Sequence, residues 1–355
     1  MPRLSVLLPV RNAEAFLAEA VDSILRQSYR DFELLLLYSP SSDASRAVLE
    51  SRARRDPRAV VLDVAGSNLA ACLNEGLRAA NGELIARMDA DDIALPERFA
   101  RQVAAFDARP ALGVLGSAVR YINAAGRPGR ILVHPRGADI ERAFAWGCPF
   151  THSAVMMRRA PLERCGGYRE LFSHAEDYDL WLRIGEVTEL DNLPEILLYY
   201  RLHGRNSVIL KALETRRHAF FAQAAQLVRH KSGIDPLDGP AALPSPESLP
   251  LSEDEFAGLR GRILAGAAHL IGDARDDPES AEWWPWPAKI ADAGLRRETE
   301  FLCAVRAARF YGRDRPLRCL AHCLRAVVRN PARAARYGAA IVRSSTVHAS
   351  CGNRS

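Results

Sequence analysis

No apolar run in this 355-residue chain approaches the roughly 20 residues that span a bilayer as a helix, so a membrane-spanning helical class is excluded. An export signal is not expected. The N-terminal apolar stretch, Leu4 to Val10, is too short and passes directly into Arg11-Asn12. Paired cysteines are lacking too. Seven stand at 72, 148, 165, 303, 319, 323 and 351 with no framework, which points to a reducing compartment and a cytoplasmic setting. Cys319-Leu-Ala-His322-Cys323 has no second ligand pair and is not read as a zinc site. A glycine-rich phosphate loop is missing after the first strand, where Pro9-Val-Arg-Asn-Ala-Glu14 stands instead, against a sugar nucleotidyltransferase. No nucleic-acid partner is expected.

What is present is 48% apolar residues and a net charge of +5, unevenly spread. Residues 296–355 hold 13 Arg, no Lys and three acids, a local +10, which leaves −5 for the remainder. A basic tail on an acidic body suggests attraction to an anionic lipid surface or partner. The segment 235–252 holds five prolines and few large apolar residues, the composition of a linker or long surface loop. The expected organisation is therefore a domain over 1–230, a Pro-rich linker over 231–252 and a helical, Arg-rich region over 253–355. Helices are expected there at about 253–275, 288–312, 314–328 and 331–343. The cluster Trp283-Trp284-Pro285-Trp286-Pro287 reads as packing between helices, with sugar stacking or membrane-interface burial as alternatives.

The first half alternates two periodicities. Strand-like runs at Leu4–Pro9, Phe32–Leu37, Val60–Val64 and Leu84–Met88 are separated by helical patterns at Ala13–Ser28, Ala44–Arg55 and a segment capped by Ser67. Pro96 is expected in the first turn of a helix reaching Ala108. This alternation predicts an α/β fold with a mostly parallel central sheet flanked by helices. Further strands are expected at Val114–Asn123, Ala154–Arg158 and Ile196–Leu202, a short helix at Glu176–Gly185, and helices from Arg205 onward.

The fourth strand ends in Asp89-Ala-Asp91-Asp92, three carboxylates in four residues. Such crowded anions repel one another unless a cation sits among them, and aspartates are hard oxygen ligands for Mg²⁺ or Mn²⁺. Ligands of open α/β sheets bind beyond the carboxyl ends of the strands. The spacing therefore suggests a metal–diphosphate site; the alternative is a solvated acidic turn that caps the next helix.

Several segments in fixed order carry a resemblance. They are Leu4-Ser-Val-Leu-Leu-Pro9-Val-Arg-Asn12, Ser23-Ile-Leu-Arg-Gln27-Ser-Tyr29-Arg-Asp31-Phe32-Glu33-Leu34, Leu73-Asn74-Glu-Gly76, and Ala86-Arg-Met-Asp89-Ala-Asp91-Asp92 with Pro96-Glu-Arg98-Phe99. Pro149-Phe150-Thr-His152-Ser-Ala-Val155-Met156, Cys165-Gly-Gly167-Tyr168, Ala175-Glu176-Asp177-Tyr-Asp-Leu180-Trp181 and Tyr200-Arg201-Leu-His203 follow. Over about residues 3–210 the chain resembles the bacterial family 2 glycosyltransferases, which have the GT-A fold. The resemblance implies sugar transfer from a nucleotide-diphospho-sugar, a UDP-sugar as the first expectation, to a saccharide or lipid-linked acceptor, with inversion. It implies cell-surface glycan synthesis at the cytoplasmic face; the basic tail, separately, suggests peripheral contact with anionic membrane through the C-terminal region. Asp177 matches the general base and Glu176 an acceptor-orienting neighbour. Asp91 matches the ligand of Mn²⁺ or Mg²⁺, joined by His203. Pro9, Arg11, Ser39, Asn74, Asp89 and Asp92 fall at the donor side. The charge pattern agrees for Glu176-Asp177, since a helix N-terminus favours an ionised carboxylate. His152 reads as a satisfied, half-buried histidine.

One segment departs from the pattern. The family has Asp-Asp-Gly-Ser at the end of the second strand; this chain has Tyr38-Ser39-Pro40-Ser41-Ser42-Asp43. Ser39 stands where an aspartate accepts from the nucleobase, and serine is shorter and uncharged. Uracil recognition is thereby in doubt, Tyr38 is a candidate for stacking on the base, and Asp43 is expected to cap a helix. The lost pair also motivates a rival reading, a non-catalytic scaffold. An aspartyl phosphoryl-transfer enzyme is disfavoured, because its DxD would follow the first strand rather than the fourth.

Overall fold

A computed structural model describes residues 1–145, 147–203, 212–256 and 258–259. The chain divides into two compact units, Met1–Leu249 and Pro250–Ser355. Almost all of the second lies outside the described residues: the expected helix over 253–275 is seen to begin at 253, but its remainder, the later helices, the tryptophan cluster, Cys319–Cys323 and the Arg-rich face lie outside them.

The first unit opens with β1 (Leu4–Val10), α1 (Glu14–Leu25), β2 (Phe32–Tyr38), α2 (Ser45–Ala53), β3 (Ala59–Asp63), α3 (Leu69–Ala79) and β4 (Leu84–Arg87). After β5 (Ile93–Ala94) come α4 (Arg98–Ala108), β6 (Leu112–Asn123), β7 (Pro128–Leu132), α5 (Asp139–Phe144), β8 (Met156–Arg158), α6 (Arg159–Arg164), α7 (Glu176–Ile184), β9 (Glu189–Leu202) and α8 (Ala212–Ser232). One sheet runs β3-β2-β1-β4-β8-β6-β9-β5, with β7 paired to β6. The first four strands are parallel. Beyond β4 the pairing is mixed: β8 runs antiparallel to both β4 and β6, whereas β9 is parallel to β6.

The parallel half follows from composition. Leu34 to Leu37 in β2 and Leu4, Val6, Leu7 and Leu8 in β1 are all buried, as both faces of a helix-covered parallel sheet require. Each such side chain contributes about 1.5–3 kcal/mol of burial. The glycine of Leu73-Asn-Glu-Gly76 lets α3 close on this layer: a Cβ there would stand 2.6 Å from Leu37 Cδ1.

Two helix starts differ from expectation. Asn68, not Ser67, caps α3, its side chain accepting the Ala71 N–H. Pro96 precedes the α4 cap residue Glu97 rather than standing in the first turn. Strand order turns at β1, with β2 on one side and β4 on the other, and the crevice beyond the carboxyl ends of these strands is the place for a ligand. The loop after β4 carries the three aspartates. The Pro-rich stretch begins on this first unit. Asp235 takes ion pairs from Arg169 and Arg229, and Leu237 and Leu249 are buried.

Candidate active site

Side-chain oxygens of Asp89, Asp91 and Asp92 lie within 4.8 Å of one another. Asp92 is buried and accepts the Arg201 N–H at 2.8 Å, while Asp89 and Asp91 are half-buried. Burial first, and then the neighbouring aspartates, holds Asp92 well above the usual carboxylate range. Asp91 is raised by burial and by Asp89, with His203 opposing. Such a cluster is short of positive charge at its centre.

The positive charge around it comes from buried arginines that sequence reasoning had not placed in the site. Arg87 lies beneath the cluster and donates from Nη1 to Asp89 at 2.6 Å. Arg98, fully buried, donates to the backbone carbonyls of Arg87 and Val155. Arg201 donates from Nε to the Asp91 carbonyl at 2.8 Å and from Nη2 to Glu19 at 2.6 Å, with its guanidinium 4.6 Å from the Phe16 ring centre. The sequence signal was an arginine inside an apolar strand, Ile85-Ala-Arg-Met88, since an arginine is almost never fully buried without partners.

His203, at the end of β9, reaches the cluster: its Nε2 stands 2.8 Å from Asp91 Oδ2. That is hydrogen-bond distance, and it brings an imidazole nitrogen up to the carboxylate cluster. With two half-exposed carboxylates beside it, the donor set fits Mg²⁺ or Mn²⁺.

A second carboxylate pair opens α7. Ala175 adopts φ 57, a left-handed conformation unfavourable for a residue with a Cβ, and so places Glu176 and Asp177 in the first helical turn. Asp177 accepts the Tyr178 N–H at 2.7 Å, and its Oδ2 lies 3.9 Å from the Cys148 sulfur. Burial raises both carboxyls; Glu176 is pushed up to about 8 by burial and then by the charge of Asp177. Asp177 is the more open of the two, 21% against 9% side-chain exposure, which suits it to meet an incoming hydroxyl. The Arg87 charge acts on Glu176 and Asp177 as well as on Asp89, and so links the two carboxylate centres.

His152 belongs to this centre. Its Nδ1 stands 3.8 Å from Glu176 and 4.0 Å from Asp177, and its Nε2 pairs with the Tyr168 hydroxyl at 2.8 Å. Burial, then Arg87, holds the ring well below its usual pKa, so it is neutral. Tyr168 is fixed in turn by Asn74, whose amide accepts the Tyr168 N–H and donates to its carbonyl. Asn74 is thus engaged with the Tyr168 turn, not with the aspartate cluster.

Glu176 carries a testable pH signature. Its folded pKa of about 8 lies above the ordinary 4.5. The folded state therefore holds a proton that the unfolded chain has released, and stability falls as pH rises from about 4.5 through 8. Glu176→Gln is expected to match the parent near pH 4 and to gain thermal stability increasingly toward pH 8 and above. Linkage sets a ceiling of about 5 kcal/mol, which structural relaxation lowers. A melting-temperature difference that stays constant from pH 5 to 9 would count against a raised Glu176.

The remaining candidates lie along β1 and β2. Pro9 is within β1, opposite Leu37, and Arg11 is exposed just beyond it. The loops after β1 and β2 are joined by side chains. Asn12 accepts the Ser42 N–H, Asp43 accepts those of Glu14 and Ser45, and Glu14 accepts that of Ala44. Asp43 thus serves the starts of both α1 and α2. The Ser39 N–H donates to the Val10 carbonyl, and its side chain meets the Cys72 thiol, which burial pushes up to about 11. Arg46 lies 5.0 Å over the Tyr38 ring, and the Tyr38 hydroxyl accepts the Ser41 N–H.

A mixed α/β sheet with an aspartate cluster just beyond the fourth strand, beside the switch at β1, is the architecture of GT-A glycosyltransferases, and solved structures agree. Residues 1–349 of Staphylococcus aureus TarS, in complex with UDP-GlcNAc, match with a TM-score of 0.56 at 17% identity, covering 93% of this chain and 92% of that one. A Pyrobaculum calidifontis mannosyltransferase in complex with GDP-Man and Mn²⁺ matches at 0.50 and 19%, covering 94% and 88%. These likenesses concern the fold. In sequence, residues 5–166 match the model of glycosyl transferase family 2. The Escherichia coli O-antigen biosynthesis glycosyltransferase WbnJ is 31% identical over 208 residues, 58% of this chain and 81% of WbnJ. The Bacillus subtilis putative glycosyltransferase EpsE is 35% identical over 190 residues, 52% of this chain and 67% of EpsE. The chain belongs to glycosyl transferase family 2 and is a glycosyltransferase.

Proposed function

We propose that this glycosyltransferase moves a sugar, with inversion and dependence on a divalent metal, from a nucleotide-diphospho-sugar to a hydroxyl of a saccharide or lipid-linked acceptor. The product belongs to a surface polysaccharide, built at the cytoplasmic side. The observation that carries this reading is the pairing of two carboxylate centres, Asp89-Asp91-Asp92 and Glu176-Asp177, with Arg87 hydrogen-bonded to Asp89 and its charge acting on Glu176 and Asp177. The names of the sequence relatives support the polysaccharide assignment. The complexes of the structural relatives support a nucleotide-sugar donor. Residues 1–230 form the catalytic domain in this reading, and the region beyond the Pro-rich segment sets the acceptor.

Asp91 and His203 would hold Mn²⁺ or Mg²⁺, which when bound neutralises diphosphate charge. Asp89 and Asp92 line the donor side, with Pro9, Arg11 and Ser39 along the same reading; Asn74 holds the Tyr168 turn instead. Asp92 supports the loop through the Arg201 N–H. Asp177 takes the acceptor hydroxyl proton as the anomeric carbon is attacked. Glu176, which stays protonated at neutral pH, donates a hydrogen bond to the acceptor or its surroundings. His152, being neutral, keeps the base centre from gaining a fixed counter-charge that would weaken Asp177 as a base. Thermal-shift titration of UDP- and GDP-sugars with and without Mn²⁺, followed by donor turnover, tests the whole reading. Stabilisation without turnover on any acceptor or water favours the scaffold alternative.

Ser39 sets a further expectation. Without the family's carboxylate acceptor, discrimination among nucleobases should be weak, and Ser39→Asp should sharpen preference for uridine by about tenfold, the worth of one charge-assisted hydrogen bond. Competition among UDP, GDP and CDP measures it. Strong, equal UDP selectivity in both forms would show that another group reads the base.

A further inference from the structure

The strands β6 and β7 form a hairpin whose outer surface has no role in the chemistry above. From Asn123 through Ile131 every residue is exposed. Ile131 stands opposite Arg120 in the register and is 45% exposed; Val133, just past the strand, is 61% exposed. Leu132, directed the other way, packs on the core. Residues 113–138 include four arginines, 120, 127, 130 and 136, and no acidic residue. Among the described residues half-buried Arg120 and exposed Arg127 form no ion pair. Uncompensated arginines beside exposed branched aliphatics are the composition of a surface that meets both charged headgroups and the acyl boundary beneath them.

The edge is poorly suited to a second copy of the chain. β7 has only five residues, begins with Pro128, which lacks an N–H, and pairs through a register irregularity between Arg120 and Ile122. Each of these features discourages strand addition at an open edge. The turn is internally ordered, the Asn123 side chain accepting the N–H groups of Ala125 and Arg127. It is also tied to the donor cluster: Arg201 donates to the carbonyls of Asn123 and Ala124 and, from Nε, to that of Asp91.

We propose that the hairpin over residues 120–133 docks on an anionic lipid surface, with Arg120 and Arg127 meeting headgroup phosphates and Ile131 and Val133 entering the interface. This inference is independent of the assigned reaction, because lipid binding needs neither donor nor turnover. Through Arg201, docking would hold the donor cluster at a fixed height above the lipid, where a lipid-linked acceptor presents its headgroup.

The test is co-sedimentation of the full chain with vesicles of phosphatidylglycerol mixed with phosphatidylcholine, and of phosphatidylcholine alone. Wild type should bind the anionic vesicles and not the neutral ones. Arg120→Gln with Arg127→Gln should weaken binding by roughly 30-fold at low salt, from about 1 kcal/mol per basic residue. That difference should shrink as salt rises. Ile131→Ser with Val133→Ser should weaken binding by about tenfold at every salt concentration. Retained melting temperature and donor-induced shift show that both variants fold. Wild-type failure to bind, or unchanged binding in both variants, overturns the proposal; the second outcome places any lipid contact elsewhere in the chain. A concentration-dependent dimer that Val133→Ser dissolves would also overturn it, by making the occupant a second copy.

Discussion

Asp177→Asn is expected to retain donor binding and to lose sugar transfer by roughly 10²–10⁴-fold, the worth of a positioned general base. Asparagine preserves an oxygen for the Tyr178 N–H that now holds Asp177, so the helix start should survive. What disappears is the ability to accept a proton. In the parent, burial raises the Asp177 pKa, so the acid limb of kcat/KM should be displaced upward from where an ordinary aspartate would put it. Activity is present above that pKa and lost below it. The variant should lack this limb. Glu176→Gln, which keeps a hydrogen-bonding group at the neighbouring position, should cost less. Equal transfer by the parent and Asp177→Asn would place the base elsewhere.

The second large effect is expected at the aspartate cluster. Asp91→Asn should abolish the Mn²⁺-dependent part of donor binding while the empty protein becomes more heat-stable. Both follow from one fact: the Asp91 charge is held among like charges in a partly buried site. Removing it relieves repulsion on Asp89 and Asp92 and at the same time removes a ligand. At donor and metal concentrations about 100-fold above Kd, the parent should gain about 2.7 kcal/mol from binding, and the variant should gain almost none. If Asp91→Asn binds donor and Mn²⁺ as the parent does, the metal assignment fails.

The parallel half of the fold was legible because β1, β2 and β4 are buried on both faces and read as apolar runs with helical stripes between them. β9 was legible only from Ile196, although it begins at Glu189. Its early residues are polar and find partners far away in sequence: Asp191 accepts from the Gly137 N–H, and Asn192 donates to the carbonyls of Pro135 and Pro149. No local pattern carries that information. The acidic motifs were visible because three carboxylates at a strand end are rare. The cations that stabilise them were not, since Arg98 stands outside the motif and Arg201 lies 109 residues beyond Asp92, and only the folded chain shows that both are buried beside it. His152 was legible as a satisfied, half-buried histidine, but its proximity to Glu176 and Asp177 depends on α7 meeting the segment before β8.

The stitched loops after β1 and β2 bear on how such enzymes exchange donors. Asn12 and Glu14 on one loop share hydrogen bonds with Ser42, Asp43 and Ala44 on the other. The loop proposed to face the nucleobase is therefore not a detachable cassette. Grafting a relative's second-strand loop alone would strand the Glu14 N–H and leave the Asn12 side chain without its partner. Residues 12–14 and 39–45 form one inheritable unit, and a transplant that carries both should fold where a transplant of either alone does not.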